Sequence, residues 1–124
     1  MRRGISLDRD RNRLYIILSG FFSDADAQVA SAAIAQAIRS LRPDFDVVTD
    51  ISQCRPATPQ GTAEIEKIQE YAIAQGARRF VRVVSDRVLI QMQLDRAASK
   101  TGVDALYVTS LQEAKDLLNG EDLE

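Results

Sequence analysis

Segments typical of β-strands alternate with helical segments along almost the whole chain. Two β-rich runs, residues 5–7 and 13–19, flank a charged turn, and strands and helices then follow one another. The predicted order is β-β-α-β-α-β-α-β-α. Each strand after the first is followed by a helix, so these strands pair in parallel through right-handed crossovers. The sequence predicts an α/β fold with a mostly parallel five-stranded sheet and an antiparallel amino-terminal edge.

Capping residues and glycines predict where the helices begin and end. Ser23 caps a first helix that ends near Ser40, and Thr58 with the following proline opens a second helix that Gly76 ends. Ser110 opens the last helix in a capping box with the glutamate three residues on. The remaining predicted elements are strands at 45–50, 79–84 and 105–108 and a helix from 88 to about 99 that Ser85 caps.

Polar residues interrupt two of the predicted parallel strands. Asp46 separates Phe45 from Val47, and Arg82 separates Val81 from Val83. Strands buried on both faces normally form unbroken apolar runs. One sheet face is therefore expected to be only partly covered, with the helices mainly on the other face.

The length of the chain suits one domain. With 124 residues and 45% hydrophobic content, it is long enough for one core and too short for two ordinary domains. We expect a single domain over residues 1–120. Residues 121–124 are treated as a tail, and its final Leu-Glu pair is compatible with an expression tag.

Composition argues against several classes of function. Sixteen basic and 18 acidic residues give a net charge of -2, which is no footprint for nucleic acid. The chain has no histidine and one cysteine, which removes the usual zinc, Ser-His-Asp and Cys-His sites. Cys54 is expected to be a passive thiol, and Asp50 alone is a weak cation ligand. We expect no catalytic residue, metal or cofactor.

The sequence also lacks a signal-like amino terminus and an apolar run long enough to cross a bilayer. We therefore expect a cytoplasmic protein with no membrane partner.

The segment from residue 45 to residue 61 is the best candidate for a functional site. It leads from a strand through a polar loop into a capped helix, and ligands gather where parallel strands end in this way. Ser52, Thr58 and Thr62 are candidate phosphate acceptors or partner contacts. The alternative, which we favour for Thr58, is a simple helix cap.

The third predicted helix has more apolar residues than one buried stripe needs. They are Val88, Leu89, Ile90, Met92 and Leu94. Leu89 and Ile90 either reach solvent as part of a partner surface or are fully buried, and the sequence leaves both readings open.

Several of these segments together resemble the STAS domains, the fold of SpoIIAA-like anti-sigma factor antagonists. Residues 45–52 (FDVVTDIS) resemble the third strand of that family, and Gly61 resembles the glycine that opens its second helix. Residues 76–84, 88–94, 101–104 and 108–114 resemble its later strands and helices. The resemblance spans nearly the whole chain and implies a single SpoIIAA-like domain.

The resemblance implies a bacterial protein-interaction module whose partner is an anti-sigma factor or a kinase-like regulator. Members under kinase control carry Asp-Ser-Ser-Gly or Asp-Ser-Thr-Gly, whereas this chain has Thr58, Pro59, Gln60 and Gly61, with Gln60 at the acceptor position. The predicted partner-binding or regulatory residues are Asp50, Ser52, Thr58, Gln60, Gly61, Thr62, Leu89 and Ile90.

Two further expectations concern ligands and assembly. A second hypothesis is a small-molecule or lipid-binding SpoIIAA-like protein. Its apolar pocket would lie near four aromatic residues, which are Tyr15, Phe21, Phe22 and Tyr71. The exposed edge of the first hairpin is open to homodimer formation, although it does not predict a dimer.

Overall fold

The computed structural model describes residues 2–85, 88–102 and 104–122, without the side chains of residues 88–91, 94, 121 and 122. The order of its elements matches the prediction. They are β1 (Arg2–Asp8), β2 (Arg13–Gly20), α1 (Asp24–Arg39), β3 (Phe45–Cys54), α2 (Pro59–Ala74), β4 (Ala77–Val83), α3 (Val88–Thr101), β5 (Ala105–Val108) and α4 (Leu111–Asp122).

The five strands form one sheet in the order β1-β2-β3-β4-β5. β1 pairs with β2 antiparallel, and all later neighbours are parallel, as predicted. Between Ile17 and Ser19 the pairing of β2 with β3 shifts, because β3 has one more residue there than β2. This irregularity lies close to the carboxyl end of β3.

Two apolar clusters lie on opposite faces of the sheet. Ile34 and Ile38 of α1 and Ala72 of α2 pack on Leu14, Ile16, Phe45 and Val47. On the opposite face, Ala114 and Leu118 of α4 pack on Val48, Val81, Val83 and Val108. α3 lies beside α2, on the face that Arg82 shares with Phe80. Three of the four helices therefore cover one face, which confirms the predicted arrangement.

The polar residues that interrupt the strands are buried, so our reason for expecting a partly covered face is wrong. Asp46 is fully buried, and its carboxylate accepts two hydrogen bonds of 2.7 Å from Arg79. The guanidinium of Arg13, also buried, lies 3.5 Å from the same carboxylate. Arg82 is 4% exposed and lies 3.6 Å from Asp95. Ion pairing rather than contact with water explains the interrupted pattern.

Some boundaries differ from the predicted ones. β3 continues to Cys54 rather than ending at Asp50, so the connection to α2 is only residues 55–58. α4 continues to Asp122, two residues past the predicted end. Gly76 has φ +99°, in the left-handed region, and a Cβ there would lie 3.0 Å from the backbone of Pro43. Glycine is therefore needed at the end of α2.

Candidate functional site

The carboxyl ends of β2, β3, β4 and β5 meet the amino ends of the helices at one side of the sheet. We call this side, comprising residues 20–26, 50–62, 84–85 and 109–110, the carboxyl edge. It contains the predicted site residues from Asp50 to Thr62. Backbone N–H groups at the ends of α1 and α2 give it partial positive charge.

Thr58 is the predicted cap of α2, and its hydroxyl makes two contacts. Its Oγ1 accepts a hydrogen bond of 3.0 Å from the Gly61 backbone and donates one of 2.6 Å to Oδ1 of Asp24. Asp24 is the first residue of α1, so one hydroxyl joins the amino ends of two helices. This confirms the capping role of Thr58. A phosphate on Thr58 would face the carboxylate of Asp24 and be repelled by it.

Gly61 allows the first turn of α2 to pack closely. A Cβ on Gly61 would lie 3.2 Å from the Cβ of Ala57, 3.3 Å from Oγ1 of Thr58 and 3.9 Å from the Cβ of Ala27. Any larger residue would press on the cap or on the connection before it. Gly61 therefore holds α1, α2 and the connection together at the carboxyl edge.

Gln60 and Thr62 differ in exposure and in the hydrogen bonds that their side chains make. Gln60 is exposed, and its side-chain amide lies 3.4 Å from Glu64 one turn on. Thr62 is half-buried, and its hydroxyl donates a hydrogen bond of 3.1 Å to the carbonyl of Thr58. At the start of α2 the chain thus presents an exposed amide.

Asp50 and Ser52 form a separate group on the opposite face of the sheet. Oδ1 of Asp50 accepts hydrogen bonds from the Ser52 hydroxyl, at 2.6 Å, and from its backbone N–H, at 3.0 Å. Asp50 pairs with Val83, whose side chain packs against α4. The structure therefore divides the predicted site into two parts, with Thr58, Gln60 and Gly61 on the side of α1 and α2.

Long-range contacts that the sequence analysis missed fix the connection between β3 and α2. The side chain of Gln93 in α3 accepts a hydrogen bond of 2.7 Å from the Ala57 N–H and donates one of 3.0 Å to its carbonyl. Ser85 donates a hydrogen bond of 2.8 Å to the carbonyl of Ser52. These residues lie 33 to 36 positions apart, so no local sequence pattern indicates the contacts.

Two other predictions, the passive thiol of Cys54 and the apolar patch of α3, have different outcomes. Cys54 is buried, with 6% exposure, in a small apolar cluster with Ile51. The side chains of Leu89 and Ile90 lie outside the described residues, so both readings of this patch stay open. Met92, from the same apolar run, is half exposed.

A cavity of about 140 Å³ lies between the sheet and the α1–α2 pair. Its lining is mostly apolar, and it includes the buried polar residues Glu64, Gln69 and Arg82. Of the four aromatic residues expected near a pocket, Phe22 lines it. Tyr15 packs on the α4 face and Tyr71 on the core beside α1, because these positions lie on other faces of their elements. Phe21 lies in the connection after β2 and is half exposed.

Asp26, at the start of α1, and Arg82, which lines the cavity, have perturbed pKa values. Hydrogen bonds from the backbone and hydroxyl of Ser23 lower the pKa of Asp26, and the two residues form a capping box at the start of α1. Burial lowers the pKa of Arg82, and the nearby carboxylate of Asp95 opposes that shift. Arg82 also donates a hydrogen bond of 3.0 Å to the hydroxyl of Tyr107.

Within the described residues, no helix is both long and apolar enough to cross a lipid bilayer.

Comparison with solved structures places the chain in a known fold. It superimposes on the anti-sigma factor antagonist SpoIIAA in its unphosphorylated form with a TM-score of 0.65 and 14% identity, covering 96% of this chain and 97% of that one. The phosphorylated form of the Bacillus cell-fate determinant SpoIIAA gives a TM-score of 0.66 and 12% identity, covering 94% and 99%. No protein-family model and no curated sequence matches the chain.

A third solved structure has a slightly higher TM-score. It is an uncharacterised protein with a SpoIIAA-like fold from Shewanella loihica, with a TM-score of 0.70 and 14% identity, covering 94% of this chain and 92% of that one. The chain therefore has the SpoIIAA-like fold that the sequence resemblance implied.

Proposed function

We propose that this chain is a non-enzymatic STAS-type interaction module that binds a protein partner through the carboxyl edge. The partner class that the resemblance favours is an anti-sigma factor or kinase-like regulator in a bacterial cytoplasm. SpoIIAA, with which the chain shares its fold, is itself described as an anti-sigma factor antagonist.

The observation that carries this proposal is the arrangement at the start of α2. Gln60 is exposed beside a rigid support made by the Thr58–Asp24 contact and the close packing of Gly61. A preformed and partly exposed polar surface suits recognition, because little ordering is needed on binding. Gln60 has no hydroxyl, so phosphorylation at this position cannot control binding, and the module is either constitutively competent or controlled by the abundance of its partner.

A matched pair of substitutions on α2 tests the surface. Gln60→Arg changes the exposed residue at the carboxyl edge, and Gln75→Arg makes the same change at the other end of the helix, where the residue is also exposed. Purified candidate partners are titrated against both variants and the unchanged protein by calorimetry. We expect Gln60→Arg to weaken binding at least tenfold, while Gln75→Arg binds as the unchanged protein does. Equal affinity of the two variants would contradict the proposed surface.

The cavity favours a second function, the binding of a small apolar molecule. Protein interiors are normally close-packed, so an apolar space of this size is a candidate ligand site. Native mass spectrometry of the protein purified from its own host is the direct test. A bound mass that disappears on denaturation supports this function, and uniformly empty protein argues against it.

A further inference from the structure

The cavity is long in relation to its volume. Its lining covers positions 27 to 38 of α1 and positions 61 to 72 of α2, about 16 Å along each helix at 1.5 Å per residue. Its volume of about 140 Å³ is close to that of apolar cavities of about 150 Å³ that stay dry and bind benzene. A cavity of similar volume that extends over a longer distance fits an unbranched alkyl chain better than an aromatic ring.

The two ends of the cavity differ in polarity. Ile38 and Ala72, near the carboxyl ends of α1 and α2, line the inner end with apolar side chains, and the nearby polar Gln69 accepts a hydrogen bond from Thr101. Arg55 and Phe22 line the other end at the carboxyl edge, and the Arg55 side chain is exposed there. The cavity is therefore amphipathic, with its polar end next to solvent.

The charged residues that line the cavity are mainly basic. Two arginines, Arg55 and Arg82, line the cavity, and Arg82 is only 4% exposed. Glu64 is the acid among the described lining residues, and Lys67 lies 4.0 Å from its carboxylate. The amino end of α2, whose first turn has no acidic residue, adds positive potential at the polar end, whereas Asp24 and Asp26 offset that of α1.

We propose that this cavity binds the acyl chain of a fatty acid of medium length, with the carboxylate at the carboxyl edge near Arg55 and Arg82. The inference rests on the second proposed function, the binding of a small apolar molecule. An anionic group beside Arg82 offsets part of the desolvation that the buried guanidinium experiences. The apolar chain would contact the apolar lining between the sheet and the two helices.

The proposal is tested with defined ligands below their critical micelle concentrations. Hexanoate, octanoate and decanoate are titrated by calorimetry, and amide chemical shifts locate the binding site by NMR. Each added methylene should raise the affinity about fourfold until the cavity is full. Decanol, which has the same chain without the charge, should bind at least fivefold more weakly than decanoate.

Two alanine substitutions on α2 separate cavity binding from surface binding. Ala72→Leu fills the inner end of the cavity, whereas Ala63→Leu makes the same change at an exposed position. We expect Ala72→Leu to reduce decanoate affinity at least tenfold and Ala63→Leu to leave it unchanged. Ala30→Leu, on the α1 side of the cavity, replaces Ala72→Leu if that variant does not fold.

The possible outcomes distinguish the inference from the function on which it rests. Failure of decanoate to bind at millimolar concentration, or equal affinity for the filled and control variants, overturns the fatty-acid proposal. If decanol binds as tightly as decanoate and Ala72→Leu still weakens its binding, the placement of the carboxylate near Arg55 and Arg82 is wrong. The cavity then still binds an apolar ligand, as the second proposed function states. If neither Ala72→Leu nor Ala30→Leu folds, the amide chemical-shift changes that decanoate causes in the unchanged protein test the binding site. Changes located away from α1, α2 and β3 contradict the proposal.

Discussion

Replacement of Asp46 by asparagine is predicted to be among the most destabilising conservative changes in this protein. The side chain is fully buried, and its carboxylate accepts hydrogen bonds of 2.7 Å from both Nε and Nη2 of Arg79. Arg13, whose side chain is 1% exposed, contributes a second and more deeply buried cation 3.5 Å away. An amide of nearly the same shape keeps the packing but removes the negative charge that Arg13, Arg79 and the more exposed Arg78, 3.5 Å away, all face.

The expected loss of stability follows from the burial of both Asp46 and Arg13. Removing one member of a buried ion pair costs about 3–5 kcal/mol, because the remaining cation loses its compensation away from water. Domains of this size have a total stability of about 5–15 kcal/mol. Asp46→Asn should therefore lower the free energy of unfolding by about 3–5 kcal/mol and the melting temperature by roughly 10–20 °C.

Urea denaturation followed by circular dichroism measures this change. Asp44→Asn is the control, since Asp44 is exposed and has φ 67°, a conformation that asparagine tolerates well. We expect the control to change the stability by less than about 0.5 kcal/mol. A loss below about 1 kcal/mol for Asp46→Asn, at an unchanged denaturant slope, would refute the reasoning.

Three further predictions concern caps, glycines and acid. Thr58→Ala should lose about 1 kcal/mol in urea denaturation, because Thr58 caps α2, and an unchanged midpoint would contradict the cap. Gly76→Ala should lower the melting temperature because its φ is +99°, whereas Gly120→Ala, inside α4 with free space around it, should raise or preserve it. Folding lowers the pKa of Asp26 and Glu113, so their contribution to stability is present above the unfolded-state pKa of about 4 and lost as the pH falls below it. Asp26→Asn and Glu113→Gln should flatten the acid limb of a stability profile, and an unchanged limb would contradict this.

Much of the fold was predictable because its signals are local. The caps of α1 and α2 use residues three positions apart, Ser23 with Asp26 and Thr58 with Gly61, and both are readable in the sequence. Positive backbone angles at Gly76 and at Gly102 mark helix ends in the same way. The order of strands and helices then leaves few possible topologies.

The candidate site was predictable in position but not in construction. The Thr58–Asp24 contact joins residues 34 positions apart, and the clamp from Gln93 to Ala57 spans 36. Neither has a local signature, because each depends on how helices pack after folding. The cavity is likewise a property of three packed elements, and of the aromatic residues expected near it only Phe22 lines it in the described part of the chain.

The sequence by itself determined the element order, the helix caps, the parallel sheet and the absence of a hydroxyl at position 60. Tertiary structure alone decided which polar residues are buried, since Asp46 and Arg82 looked like markers of an exposed face and are ion-paired in the interior. The physical reason is the range of the interactions. Capping and turn formation act within a few residues, whereas the burial of a charge depends on partners that only the complete fold brings close.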